Sequence, residues 1–262
     1  MAETRTRVKD LFDLTEKVAV VTGASRGLGL QIAKALGEMG ARIAITARKA
    51  DEFDQARSEL QHLGIEVWTG VNDLSHLDEI PALVETLLAR FGAIDVLVNN
   101  AGTTWGAPAE DHPVEAWQKV MRLNVDAPFL LTREIGRRTM IPRRTGKIVN
   151  IASVAGLLGN PLGVTTIAYN TSKGAVVNFT RSLAAKWGRH NINVNAICPG
   201  FFRSKMTAAT LDRLETDVLA TTPLKRIGGE HDLMGTAVFL SSEASRHITG
   251  QCLAVDGGTS IV

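Results

Sequence analysis

Tyrosine occurs once in the 262 residues, as Tyr169, and cysteine twice, as Cys198 and Cys252. Each cysteine lies in an apolar strand-like run with no C-x-x-C spacing, which excludes a disulfide framework and gives no sign of a metal or redox pair. Both are expected as buried thiols in a reducing compartment. Histidine is scattered, at His62, His76, His112, His190, His231 and His247, with no H-x-x-x-H or Cys/His grouping, so no metal site is expected. Net charge is also small. With 29 Lys and Arg against 27 Asp and Glu, the formal +2 is too weak to imply nucleic acid or a membrane surface as partner. No apolar run is long enough to span a bilayer, and the amino-terminal stretch MAETRTRVKDLFDLTEK carries charges throughout without a secretory apolar core. A cytoplasmic protein is expected. What the chain does have is aliphatic surface to bury: 45% hydrophobic against 21% charged residues describes an ordinary globule, of a length normal for one α/β unit.

The apolar runs alternate in type. After a polar lead over residues 1–16, a Val-rich strand pattern at 17–22 meets a Gly-rich turn and an amphipathic helix that stops at Gly40. Strand patterns at 41–47, 65–71 and 94–98 then alternate with helical patterns ending near Leu63 and spanning 75–91. A long helical stretch runs from Pro113 to about Arg138, and a strand at 148–152 leads to a helix over 169–187. Another strand at 192–197 is followed by an irregular segment, a helix near 230–241 and a last strand at 252–255. Seven strands joined by helical crossovers predict one α/β domain over 17–262, a doubly wound Rossmann-type parallel sheet with helices on both faces.

The first turn, T-G-x-x-x-G-x-G at residues 22–29, departs from the usual G-x-G-x-x-G but follows the first strand directly. Gly23, Gly27 and Gly29 let the backbone turn tightly, approach a pyrophosphate and pack helix on strand, while the helix start offers free N–H groups to the anion. The end of the second strand reads Ala47-Arg48-Lys49, where a site for NAD normally has a carboxylate. Arg48 and Arg26 suit a 2′-phosphate instead, so NADP(H) is expected over NAD(H). Asp73 either approaches the adenine amino group or caps the following helix. Residues 99–102, Asn-Asn-Ala-Gly, end the fourth strand where a doubly wound sheet reverses its order.

Chemistry-bearing residues cluster later. Lys173 stands four residues after Tyr169, on the same helix face, where an ammonium would favour the phenolate. By itself that pair also fits a buried tyrosine and a solvated lysine. Ser153 follows the fifth strand. Pro128 has no N–H for the carbonyl four residues earlier, which in a continuous helix frees the main chain of Asn124 to bind water.

In this order, the motifs at 22–29 and 99–102, Asn124, Ser153, Tyr169 with Lys173, Pro199-Gly200 and the closing Val-Asp-Gly-Gly at 255–258 resemble the single-domain branch of the short-chain dehydrogenase/reductase family. The resemblance implies a catalytic set of Asn124, Ser153, Tyr169 and Lys173. Tyr169 would exchange the proton with a carbonyl or alcohol, Ser153 would hold the substrate oxygen, Lys173 would bind the ribose and depress the tyrosine pKa, and Asn124 would hold a water. It also implies that NADP(H) lies against Gly23, Ser25, Arg26, Gly27, Leu28, Arg48, Asp73, Leu74, Asn100, Ala101, Gly102, Tyr169, Lys173, Pro199, Gly200 and Phe202. A homotetramer is implied too.

Sixteen positions separate Ser153 from Tyr169, so the loop over 156–167 is expected to carry an insertion at the mouth of the substrate pocket. Residues 201–206, with Phe201, Phe202, Arg203, Ser204 and Met206, are expected to form a lid whose apolar members either line the pocket or anchor the lid. Within the family the motifs resemble most the reductases of 3-oxoacyl thioesters, and the basic residues Arg137, Arg138, Arg143, Arg144 and Arg189 are candidates to meet an acyl carrier protein. The alternatives are a polyol or sugar-acid (gluconate-type) dehydrogenase, a xenobiotic ketone reductase, and a non-catalytic NADP(H) sensor.

Overall fold

The computed structural model describes residues 7–159 and 163–262. Seven parallel strands form one sheet in the order β3-β2-β1-β4-β5-β6-β7: β1 (Val18–Thr22), β2 (Arg42–Ala47), β3 (Val67–Val71), β4 (Val96–Asn99), β5 (Gly146–Ile151), β6 (Ile192–Pro199) and β7 (Cys252–Val255). Every residue of β1, β4 and β5 is buried, which is why these strands read as unbroken apolar runs rather than alternating ones. The alternation is present in space. Ala19 and Val21 of β1 join an apolar cluster on one face of the sheet, and Val20 joins a second cluster on the other.

The helices that cover these faces are α1 (Gly27–Glu38), α2 (Phe53–His62), α3 (Ile80–Phe91), α4 (Val114–Met121), α5 (Ala127–Ile135), α6 (Ile167–Trp187), α7 (Ala208–Thr221) and α8 (Met234–Ser241). Among the described residues, no helix is long and apolar enough to cross a membrane.

Four features differ from the sequence reading. The polar lead is not wholly outside the domain, because Leu14 is 2% exposed within the first cluster and its N–H donates to the Met39 carbonyl at 2.8 Å. The long helix bulges: π-helical turns over Arg122–Asp126 and Gly136–Met140 flank α5, and it runs on to Arg143. Pro128 sits in the first turn of α5, where its missing N–H is absorbed by a wider turn that includes an Ala127 N–H to Arg122 carbonyl bond. The segment after Pro199 is not irregular throughout, since it contains the 14-residue helix α7. Cys198 is buried as expected, but Cys252, on the edge strand, is only half-buried.

A buried polar network fixes the helices behind the catalytic centre. Asn99 Nδ2 donates to Thr132 Oγ1 at 2.9 Å and to Asn150 Oδ1 at 2.8 Å, and Asn150 Nδ2 donates to Thr180 Oγ1 at 2.9 Å. Side chains of β4 and β5 thereby tie α5 and α6 to the sheet with their amides satisfied.

Candidate active site

Strand order reverses between β1 and β4, and the cleft opens there, at the carboxyl ends of the strands. Its volume is about 720 Å³, and its walls include all of the residues expected to hold the cofactor together with Ser153. Asn124 stands just behind the wall. A Cβ placed on Gly102 would lie 3.2 Å from the Asn124 amide oxygen and 3.7 Å from Lys173 Nζ, so the absence of a side chain at Gly102 brings three expected site residues together.

At the dinucleotide end, the loop after β1 needs its glycines. Gly23 has φ +63°, and a Cβ there would come within 2.9 Å of the Ala101 Cα. A side chain at Gly29 would run into the Asn100 amide. That amide instead donates to the carbonyls of Thr22 at 2.8 Å and Gly23 at 3.0 Å, clamping the Gly-rich loop to the end of β4. Arg26, at the N-cap of α1, is extended and makes no side-chain cap, leaving the first-turn N–H groups of the helix for an anion. Among the described residues no ion pair engages Arg48, whereas Arg26 Nη1 meets Glu52 Oε1 at 2.7 Å. Asp73 does not cap the following helix, whose first turn begins at Leu77; its Oδ1 instead closes a local turn by accepting from the Ser75 N–H at 2.9 Å and hydroxyl at 2.7 Å, and the residue lines the cleft. A pyrophosphate cradle, an uncapped helix start and a free guanidinium after β2 fit NADP(H). Exchange of that guanidinium for a carboxylate, Arg48→Asp, is expected to weaken NADP⁺ binding at least about tenfold and to favour NAD⁺, as titration with both would measure.

At the catalytic end, Ser153 Oγ accepts from the Ala155 N–H at 3.1 Å, which leaves its own proton for donation. Tyr169 is half-buried; water reaches part of the ring through the cleft, yet the dense surroundings push the phenol above its usual pKa, with the nearby Ser153 hydroxyl opposing. Lys173 Nζ donates to the Ile151 carbonyl at 2.6 Å and lies 5.5 Å from the centre of the Tyr169 ring. Burial lowers the pKa of that ammonium to about 8. Burial thus moves the phenol upward, opposite to the depression expected from Lys173. Asn124 is held by three bonds: Oδ1 accepts from the Thr103 N–H at 2.8 Å, and Nδ2 donates to the Thr103 carbonyl and the Ser172 hydroxyl, both at 2.9 Å.

A family model described as short chain dehydrogenase matches residues 17–215. The chain belongs to the short-chain dehydrogenase family. It is 42% identical over 254 residues to the gluconate 5-dehydrogenase of Gluconobacter oxydans (strain 621H), covering 96% of this chain and 98% of that one. It is 38% identical over 246 residues to a 3-oxoacyl-[acyl-carrier-protein] reductase of Chlamydia trachomatis, covering 94% and 98%. Among solved structures, a gluconate 5-dehydrogenase from Burkholderia cenocepacia J2315 in complex with NADP and tartrate superposes with a TM-score of 0.92 at 35% identity, over 98% of this chain and 100% of that one. As a short-chain dehydrogenase, the protein is an oxidoreductase acting between CH–OH and C=O. The seven-stranded sheet and the cleft at its switch point are those of the family.

Several site residues were not singled out by the sequence. Glu52 lines the cleft beside Arg26, and the only sequence signal for it is an acid just before α2. Thr103, Thr104 and Lys205 line the substrate end. Phe202 and Met206 divide the lid roles: Phe202 is 4% exposed and anchors the lid, whereas Met206 is 45% exposed at the cleft. Asn160, Pro161 and Leu162 of the expected insertion lie outside the described residues. The rest of that loop closes on the loop after β4 through an Ala107 N–H to Thr165 carbonyl bond of 2.9 Å.

Proposed function

We propose that the protein is an NADP(H)-dependent sugar-acid oxidoreductase of the gluconate type, interconverting a secondary alcohol of a polyhydroxy acid and the corresponding ketone. The observation that carries this reading is that the cleft holding Ser153 and Tyr169 is also lined by Thr103, Thr104, Ser204, Lys205 and Thr207. The Thr104 hydroxyl is buried without a hydrogen-bond partner among the described residues, an arrangement that a ligand hydroxyl would relieve. Lys205 supplies the cation that a carboxylate requires. The Gluconobacter relative supports the same substrate class, and the Burkholderia structure, held with NADP and tartrate, shows a neighbour that accepts a small hydroxylated carboxylate.

In the reductive direction the cofactor supplies the hydride. Ser153 donates its free proton to the carbonyl oxygen as charge develops there, and Tyr169 transfers its phenolic proton to that oxygen. Lys173 binds ribose hydroxyls, and its positive charge favours the phenolate left behind. Asn124, its side chain clamped by Thr103 and Ser172, is the residue we assign to hold a water that links Lys173 to solvent. A cofactor sensor would have no use for this set.

Reduction of 3-oxoacyl thioesters, ranked first from the sequence, becomes the second reading. The chlamydial relative and the exposed apolar residues Leu157, Leu158 and Met206 favour it. Against it, the basic residues offered to an acyl carrier are engaged within the chain: Arg137 with Glu134, Arg138 with Glu85, Arg143 with Asp95, and Arg144 with the Arg189 carbonyl. Assembly as a homotetramer remains part of the proposal, supported by Phe129 on the outer side of α5, which is 47% exposed and meets Phe179 edge-on. Lys205→Met tests the substrate class. It is expected to raise KM for a sugar acid about tenfold with little change in kcat, and to leave neutral polyols unaffected. An equal effect on acids and polyols would remove Lys205 as the carboxylate partner.

A further inference from the structure

At the adenosine end of the cleft, two guanidinium groups and two carboxylates share the wall: Arg26, Arg48, Glu52 and Asp73. Asp73 is occupied by the Ser75 N–H and hydroxyl, which both donate to its Oδ1. Glu52 faces the loop after β1 with both oxygens. Its Oε1 takes the Arg26 guanidinium at 2.7 Å, and its Oε2 accepts from the Ser25 hydroxyl at 3.3 Å. The Arg26 hydrogen bond holds the Glu52 carboxyl below its usual pKa, so the acid stays ionised at neutral pH. Two of the groups that an incoming 2′-phosphate would recruit, Ser25 and Arg26, are therefore committed to a carboxylate 27 and 26 residues away in the chain. Of the two guanidinium groups at this end, Arg48 has no ion pair among the described residues and Arg26 has one.

We propose that Glu52 is a specificity-determining residue for the cofactor: it competes with the 2′-phosphate for Arg26 and Ser25, and so restrains the preference for NADP(H) over NAD(H). The inference concerns the cofactor end alone and does not depend on which ketone is reduced. Its physical basis is charge balance. A phosphate with nearly two negative charges must displace one carboxylate from Arg26 and also lie near it, whereas an unphosphorylated ribose does neither. The Arg26 side chain is 47% exposed and that of Glu52 is 21% exposed, so the competition is partly screened by solvent and its size is modest. It should fade as ionic strength rises.

The test uses the full chain and two probes that differ only at the 2′ position, adenosine 2′,5′-bisphosphate and adenosine 5′-monophosphate, titrated calorimetrically. Glu52→Gln keeps the shape and the Ser25 contact and removes the charge. It is expected to tighten the bisphosphate about threefold to tenfold and to leave the monophosphate within about twofold, with the gain shrinking at high salt. Glu52→Ala should give the same direction, and an unchanged thermal midpoint in either variant shows that folding is not the cause. Arg26→Ala should weaken the bisphosphate selectively. Unchanged bisphosphate affinity in both Glu52 variants overturns the proposal. So does weaker binding, which would mean that Glu52 orients Arg26 toward the phosphate instead of withholding it, and so does equal tightening of both probes.

Discussion

Tyr169→Phe is expected to lower kcat by about 10²- to 10⁴-fold while NADP(H) still binds. The substitution keeps the ring that fills the cleft wall and removes only the hydroxyl, the one phenol the chain possesses. Ser153 remains to hold the substrate oxygen, which is why residual turnover should persist. The direction of the phenol's pKa shift adds a pH signature. Because burial favours the protonated form, the proton donor for ketone reduction is present throughout the neutral range, and reduction should be nearly flat with pH there. Alcohol oxidation needs the phenolate and should rise with pH. Steady-state rates in both directions, wild type against variant, read both effects. A variant that retains wild-type kcat would show that another group delivers the proton.

Replacing Lys173 is expected to separate stability from activity. Lys173 is 5% exposed, its ammonium has one hydrogen-bond partner among the described residues, the Ile151 carbonyl at 2.6 Å, and burial brings its pKa to about 8. The folded pKa thus lies below the unfolded value of about 10.4. Over the interval from about 8 to about 10.4 the unfolded chain binds the additional proton, so this group makes the folded state more stable as pH rises, and below about 8 it imposes its full cost. Lys173→Met removes the buried charge and the cost together. After allowance for the lost hydrogen bond, the cofactor-free variant should be more stable at pH 7 by on the order of 1–2 kcal/mol, a rise in Tm of several degrees, with the gain disappearing toward pH 10. Activity should fall by about 100-fold or more, because the charge that favours the tyrosinate and the donor to the ribose are both lost. A variant no more stable than wild type at pH 7 would contradict the placement of an uncompensated charge behind Tyr169.

How much of this was legible in the sequence depends on how local the cause was. Parallel strands buried on both faces leave short apolar runs separated by helical patterns, so the order of β1 to β7 could be read directly. The Tyr169 and Lys173 pair was legible because four residues is one helical turn. The π turn at Arg122–Asp126 was not, since Pro128 announces a missing N–H without saying how the turn widens around it. The helix Ala208–Thr221 buries only Leu211, so its pattern lacks a continuous apolar stripe. Glu52 was missed because its partners, Ser25 and Arg26, come from another loop. The same holds for the substrate end, where Thr104, Ser153 and Lys205 are far apart in sequence and only the fold makes them one wall. The substrate ranking made from motifs changed for that reason: the motifs specify the catalytic centre, while the hydroxyls and the cation beside it bear on what is reduced.

The most direct measurement compares two substrate classes on one enzyme. D-gluconate with NADP⁺, and 5-keto-D-gluconate with NADPH in the reverse direction, are followed by nicotinamide absorbance beside a short 3-oxoacyl thioester with NADPH. Turnover of the sugar acid is expected in both directions, with kcat/KM at least about 100-fold above that for the thioester, a difference of about 2.7 kcal/mol in transition-state binding. Efficient reduction of the thioester with no detectable turnover of either sugar acid would contradict it.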